Sequence, residues 1–309
     1  VSGWLWFNDR FSSSEIHSHG FSRILQSFNT KYQDIQLIDS GSFGKMLLID
    51  GDVQSSLFDE YIYHESLVLP GLISGASSPE KVFLCGGGEG ATLREILRCK
   101  TVESVIKCDI DQEAIQMYME ELPEWHQGSF FDPRVTLIHM DARKLLEEQN
   151  DHAFDGIYTD LTEPVNGGPS QMLYSKEFFS ICKNKLNENG FLVVQGSLLR
   201  TSTYEMHASI IKTMQEVFPI VRSYSVYVPS FDTCWGFAFA SFNTDPFLLN
   251  PKEIDLRIQQ RLAGKTRFYD GIAHQQIFSL GKDLREKIAQ AGSIITDTHP
   301  FSLKKKGDL

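Results

Sequence analysis

Apolar and polar positions along this chain fall into two regimes. Up to about Ser56, short apolar stretches (WLWFN, FSRILQSF, QDIQLID and KMLLID) recur, and turn residues Gly41-Ser42 and Asp50-Gly51-Asp52 separate the later ones. This spacing predicts a small antiparallel β unit. Segment 58–72 then carries apolar residues at helical spacing and is expected to end near Pro70-Gly71. Residues 71–81, rich in Gly, Ser and Pro, read as a linker. The chain is therefore divided into an N-terminal β domain with its linking helix, 1–75, and a larger domain, 76–309.

Beyond the linker, strand and helix patterns alternate. Strands are expected at 81–85, 105–110, 135–141, 154–160 and 190–195, with helices at 92–97, 112–122, 142–149 and 175–186. Such alternation predicts a parallel sheet covered on both faces. Two further apolar runs, 220–229 and 235–242, are joined by a short turn without a helix and should pair antiparallel. A parallel sheet closed by a hairpin points to an α/β fold with a Rossmann-like seven-stranded sheet of the class I methyltransferase type. Residues 251–309 read as helical and then frayed, with Lys304-Lys305-Lys306 as a solvated tail.

Composition narrows the possibilities. The 309 residues are 41% hydrophobic and 22% charged, as in ordinary globular proteins, with a formal charge of -11. That charge disfavours nucleic acid and anionic membranes as partners and permits a cationic one. Five scattered cysteines without CxxC spacing suggest free thiols in a reducing, cytoplasmic setting and no zinc site. No apolar run reaches membrane-spanning length.

The chemistry centres on the stretch Leu84-Cys85-Gly86-Gly87-Gly88-Glu89-Gly90-Ala91-Thr92, where a strand runs through three glycines into a helix. Glycines permit a tight turn and close ligand approach, and the helix start offers unpaired N–H groups. Gly86-x-Gly88-x-x-Ala91 also satisfies a dinucleotide pattern, but Glu89 within the turn would repel a pyrophosphate. The better fit is an adenosine without phosphates that carries positive charge, such as an adenosyl sulfonium. Four acids, Glu89, Asp109, Asp141 and Asp160, stand at successive strand ends, where open α/β sheets bind ligands. Asp109 follows Gly88 by 21 residues (109 − 88), the spacing at which an acid reaches ribose hydroxyls, and Asp141 should lie near the adenine edge. A single such acid could equally be a helix N-cap.

These pieces, with Tyr32-Gln33-Asp34-Ile35, FGKMLLIDG (43–51), DEYIYHES (59–66), GGGEGATLREIL (86–97), DLTEPVNGGP (160–169), LYSKEFF (173–179) and VPSFDTCWG (228–236), resemble the polyamine aminopropyltransferases. Within that spermidine and spermine synthase family the chain is most similar to the thermospermine synthase branch. The resemblance implies transfer of an aminopropyl group from decarboxylated S-adenosylmethionine to a polyamine, releasing methylthioadenosine. It also implies a homodimer or tetramer and no permanently bound cofactor or metal. Carried over by motif, Gln33, Gly86, Gly88, Glu89, Asp109, Asp141 and Ala142 hold the donor. Tyr63, His64, Glu163 and Trp235 line the acceptor site, Asp160 with Tyr63 stands at the chemistry, and 165–174 forms a covering loop.

Physical chemistry sharpens two roles. An alkylamine arrives protonated, so exposing its lone pair at neutral pH costs about 4 kcal/mol and calls for a base, here Asp160. Glu89 should meet the donor's ammonium and repel an intact methionine carboxylate, by roughly 4 kcal/mol for like charges at about 4 Å. Methyltransferases place their acid near the start of the glycine loop, where this chain has Leu84. Two departures bear on the acceptor: the usual D-x-x-D-P reads Asp160-Leu161-Thr162-Glu163-Pro164, and His64 replaces the Gln of many spermidine synthases. An S-adenosylmethionine-dependent methyltransferase on the same scaffold, and an inactive binding protein, are the rival readings.

Overall fold

The computed structural model describes residues 3–12, 14–75 and 77–303, so the tri-lysine tail lies outside the described residues. Five antiparallel strands form the first sheet in sequential order: β1 (Leu5–Ser12), β2 (Glu15–Asn29), β3 (Asp34–Ser40), β4 (Gly44–Ile49) and β5 (Asp52–Ser56). The last strand, DVQSS, has few β-formers and its pattern alone does not announce it. A two-residue turn makes it: Asp50 and Gly51 both take positive φ (52° and 82°), and Ile49 pairs with Asp52 across them.

Helix α1 (Glu60–Ser74) follows, and it corrects the expectation of a stop at Pro70-Gly71. Proline at position 70 removes one helical donor and leaves the Ser66 carbonyl without its partner. The Tyr224 hydroxyl donates to that carbonyl instead, at 3.1 Å. A Cβ on Gly71 would collide with the Phe191 ring and stand 2.6 Å from the Tyr158 hydroxyl, which itself donates to the Val68 carbonyl at 2.8 Å. The Pro-Gly pair is thus a close-packing device, not a terminator. The helix stops where Arg257 donates to the carbonyls of Ile73, Ser74 and Gly75 and Arg261 to those of Leu72 and Ile73.

From there the chain alternates: β6 (Lys81–Gly86), α2 (Ala91–Leu97), β7 (Ser104–Cys108), α3 (Gln112–Glu121), α4 (Pro123–His126), β8 (Val135–Ile138), α5 (Ala142–Glu148), β9 (Phe154–Asp160), α6 (Lys176–Lys185), β10 (Leu186–Leu198), α7 (Glu205–Gln215), β11 (Ile220–Val228) and β12 (Thr233–Ser241). Three helices, α8 (Pro251–Arg261), α9 (Gly271–Phe278) and α10 (Lys282–Gln290), complete it. The second sheet runs β11-β12-β10-β9-β6-β7-β8, parallel except for β12, which lies antiparallel between β10 and β11. Strand β8 is shorter than its pattern suggests because 139–141 leave the sheet to start α5.

Strand β6 lies between β9 and β7, so connections leave it in both directions and a crevice opens at its carboxyl end. Two apolar cores cover the sheet faces; α1 contributes Leu67, Val68, Leu69, Leu72 and Ile73 to one of them, all fully buried. All five cysteines are free thiols. Among the described residues no helix is long and apolar enough to cross a membrane. Because Gly71 has no room for a methyl group, Gly71→Ala should destabilise the fold by about 1–3 kcal/mol. A lowered urea midpoint with an unchanged slope is the expected reading.

Candidate active site

The glycine loop begins where β6 ends. Gly86, Gly87 and Gly90 take positive φ (75°, 70° and 83°), and a Cβ on Gly86 would strike the Asp160 carbonyl. Gly87 N–H donates to that same carbonyl at 2.7 Å, locking the ends of β6 and β9 together. Beneath the loop lies a residue the sequence reading missed. Lys107 is fully buried, and its Nζ donates to the carbonyls of Gly86 (2.5 Å) and Gly87 (2.9 Å), 3.8 Å from Asp109. The available signal was a lysine inside the otherwise apolar run VIKC. Burial pulls the Lys107 ammonium below its usual range, against the attraction of Asp109, Glu89 and Asp160.

Helix α1 carries three site residues, Glu60, Tyr63 and His64, within about one turn. His64 Nδ1 meets Glu60 Oε2 at 2.9 Å, and its Nε2 meets Glu89 Oε1 at 2.7 Å. Burial would lower the imidazole pKa, but the two carboxylates raise it to about 10, so both ring nitrogens donate. Arg94 adds a bond to Glu60 at 2.9 Å; although burial opposes it, these cations bring Glu60 down to about 2. Glu89 is likewise held below the carboxylate range, against its burial, by the His64 bond. His64 stands behind Glu89 with 1% exposure, outside the cavity lining, hydrogen-bonded through both ring nitrogens. Its Nε2, a Glu89 oxygen and an Asp160 oxygen lie within 4.8 Å of one another.

Asp160, at the end of β9, accepts from the Tyr63 hydroxyl at 2.8 Å and from Thr92 Oγ1 at 2.5 Å. Burial and the neighbouring Glu89 charge push its pKa up, while His64 and the two hydroxyl donors pull it down. The Tyr63 hydroxyl is driven well above its usual range by burial and by Asp160. Its ring packs against Phe237, Phe231 and Trp235, with centroids at 5.3, 6.1 and 6.5 Å. In that bond the Tyr63 hydroxyl, held by the surrounding rings, is the donor and an Asp160 oxygen the acceptor.

Elsewhere the predicted residues have local partners. Asp141 caps α5, accepting from the N–H groups of Arg143 (2.9 Å) and Lys144 (3.2 Å), and Ala142 opens that helix. Gln33 donates to Asp111 at 3.0 Å, and Asp111 N–H donates to Asp109 Oδ1 at 3.1 Å. Burial raises the Asp109 pKa, against the nearby Lys107. Ser197 Oγ donates to Glu163, while Trp235 Nε1 donates to Gln195 at 3.1 Å. Gln33, Tyr63, Gly86, Gly88, Glu89, Asp109, Asp141, Ala142, Asp160, Glu163 and Trp235 line one cavity of about 1120 Å³. Eleven carboxylate side chains line it against two basic ones, Arg10 and Lys31. Residues of both sheets form its walls.

The Rossmann-like sheet thus carries an acidic, partly aromatic crevice at its switch point, a lining suited to cationic ligands. Comparison with known proteins narrows this. The profile of the spermine/spermidine synthase domain matches residues 60–250, and that of the spermidine synthase tetramerisation domain matches 5–56. A polyamine aminopropyltransferase of Sulfolobus acidocaldarius is 43% identical over 97% of this chain and 98% of its own. The one from Saccharolobus solfataricus is 40% identical with the same coverage. A spermidine synthase crystallised with the transition state analogue AdoDATO superposes with a TM-score of 0.85 at 25% identity, covering 93% of this chain and 95% of that one. The chain belongs to the spermine/spermidine synthase family.

Two measurements follow from the electrostatics. His64 is protonated more strongly folded (about 10) than unfolded (about 6.5), so its stabilisation is complete below about pH 6.5 and lost as pH rises toward 10. The melting-temperature gap between the wild type and His64→Gln should therefore shrink across that window. Tyr63→Phe deletes a donor that lowers the Asp160 pKa, so the acid limb of the kcat/KM profile should move to higher pH.

Proposed function

We propose that the crevice seats decarboxylated S-adenosylmethionine beside a polyamine, and that Asp160 takes the proton released as the two are joined. The chain is a transferase of aminopropyl groups. Asp160 takes a proton from the substrate ammonium, which exposes the lone pair; the amine nitrogen attacks the aminopropyl carbon bonded to the sulfonium, the C–S bond breaks, and methylthioadenosine leaves as a neutral thioether. The observation carrying this reading is the Tyr63–Asp160–Thr92 bonding, which leaves a buried carboxylate with raised pKa facing the cavity, its two hydroxyl partners both donating. A base of that kind is matched to an amine better than an ordinary surface carboxylate.

Donor selection rests on Glu89, assisted by Asp109 and Asp111 toward the ribose, Asp141 and Ala142 toward the base, and Gln33 over them. Glu89 is not a bare charge, because His64 partly neutralises it. Its repulsion of an intact methionine carboxylate is thus weaker than the bare-charge figure of about 4 kcal/mol. The acceptor lies along Glu163, Trp235, Phe231 and Glu205, where acids and rings alternate to take ammonium groups and methylenes. That arrangement suits a polyamine longer than a diamine, of the spermidine, spermine or thermospermine synthase type. No membrane or nucleic acid enters this reading, and a cytoplasmic setting accords with the free thiols.

A homo-oligomer built through the first sheet accords with that sheet's exposed apolar side chains. Leu5 (55%), Trp6 (64%), Ile16 (46%) and Ile24 (51%) are all open in the single chain.

Incubation with each donor and a panel of amines, read by mass, should give methylthioadenosine and an amine lengthened by one aminopropyl unit. S-adenosylhomocysteine would establish methyl transfer instead. Asp160→Asn should lower kcat by about 10²–10⁴-fold while donor affinity changes little. Glu89→Gln should narrow the affinity ratio between decarboxylated and intact donor; an unchanged ratio overturns this account of selection.

A further inference from the structure

After α10 the chain turns back across the molecule as an extended strap, and its contacts tie it to the site. Ile295 is buried; its N–H donates to Thr213 Oγ1 (2.9 Å) and its carbonyl accepts from Lys176 N–H (2.8 Å). Asp297 forms a two-point ion pair with Arg143 (2.8 and 2.7 Å) and accepts from Ser175 Oγ at 2.6 Å. Arg143 directly follows Asp141 and Ala142 at the corner assigned to the donor's base. The strap then reaches the loop after Asp160, where Leu303 N–H donates to the Pro164 carbonyl at 2.8 Å and Leu303 forms a parallel bridge with Val165. Phe301 and Leu303 line the cavity together with Ala142, Leu161, Val165 and Leu173, forming an apolar stretch in an otherwise acidic chamber.

We propose that residues 295–303 latch the 161–174 loop over the site, with Phe301 and Leu303 as an apolar wall against the donor's nucleobase. The wall rests on the donor reading above; the latch does not. A flat, uncharged base is the part of such a donor that gains from an apolar surface, whereas sulfonium and ammonium belong with the acids. Because the strap is pinned at Asp297 and ends on the loop, loop opening requires the Leu303–Pro164 bond to break.

Two full-length variants test the two parts. Leu303→Pro removes the donating N–H without truncating the chain. Hydrogen exchange at Gly168, Gln171 and Leu173 should then accelerate at least about tenfold, with β10 unaffected. Unchanged loop exchange overturns the latch, whatever the substrate proves to be. Phe301→Ala should raise donor KM and the inhibition constant of methylthioadenosine about tenfold, with acceptor KM moving less than twofold and Phe301→Leu restoring most of the loss. A loss carried by kcat, or by acceptor KM, overturns the wall. A wild-type enzyme that binds no methylthioadenosine would refute the donor reading and the wall with it, while the exchange measurement still decides the latch.

Discussion

The buried cation at His64 is the constraint on which the site depends. It holds Glu89 from one side and Glu60 from the other, so the glycine loop and α1 share a proton-mediated joint. From Glu60 the pairing continues through Arg94, Glu95 and Arg98 to Glu65. Glu65 in turn accepts from the N–H groups of Arg267, Phe268 and Tyr269 at 2.8 Å. Buried charges of this kind are tolerable only when each has partners, and removing one member strands the next. The network fixes α1 against α2, and with it the distance from Tyr63 to Asp160.

Lys107 plays the complementary part below the glycines. Acids must crowd this crevice to attract cationic ligands, and crowding raises the energy of every one of them. One enclosed ammonium beneath Gly86 and Gly87, close to Asp109, offsets part of that repulsion without facing the cavity. Asp160 feels Glu89 as a like charge, so its raised pKa follows from the same crowding that draws substrates in.

The chain's pattern disclosed the alternating half and its acids because strand-end position and glycine spacing are local properties. It placed Glu89, Asp109, Asp141 and Asp160 around one cavity without any knowledge of tertiary contacts. What escaped it depended on partners far along the chain. Pro70 continues a helix only because Tyr224, 154 residues later, supplies the missing bond (224 − 70). Strand β5 exists through its turn, not its composition. Sequence shows His64 beside Tyr63 but not Glu60 and Glu89 closing on both of its ring nitrogens. Asp141 proved to be both a cavity residue and a helix cap, two roles that spacing cannot separate.

The tyrosine that completes the broken helix has a wider consequence. Tyr224 and Tyr158 grip α1 by the carbonyls of Ser66 and Val68, about one turn beyond Tyr63. The placement of Tyr63 is therefore set by tyrosines that clamp the next turn of its own helix from outside the cavity. Moderate heating that loosens the aromatic stack around Tyr224, Phe237 and Phe278 should silence the enzyme while its sheets are still intact.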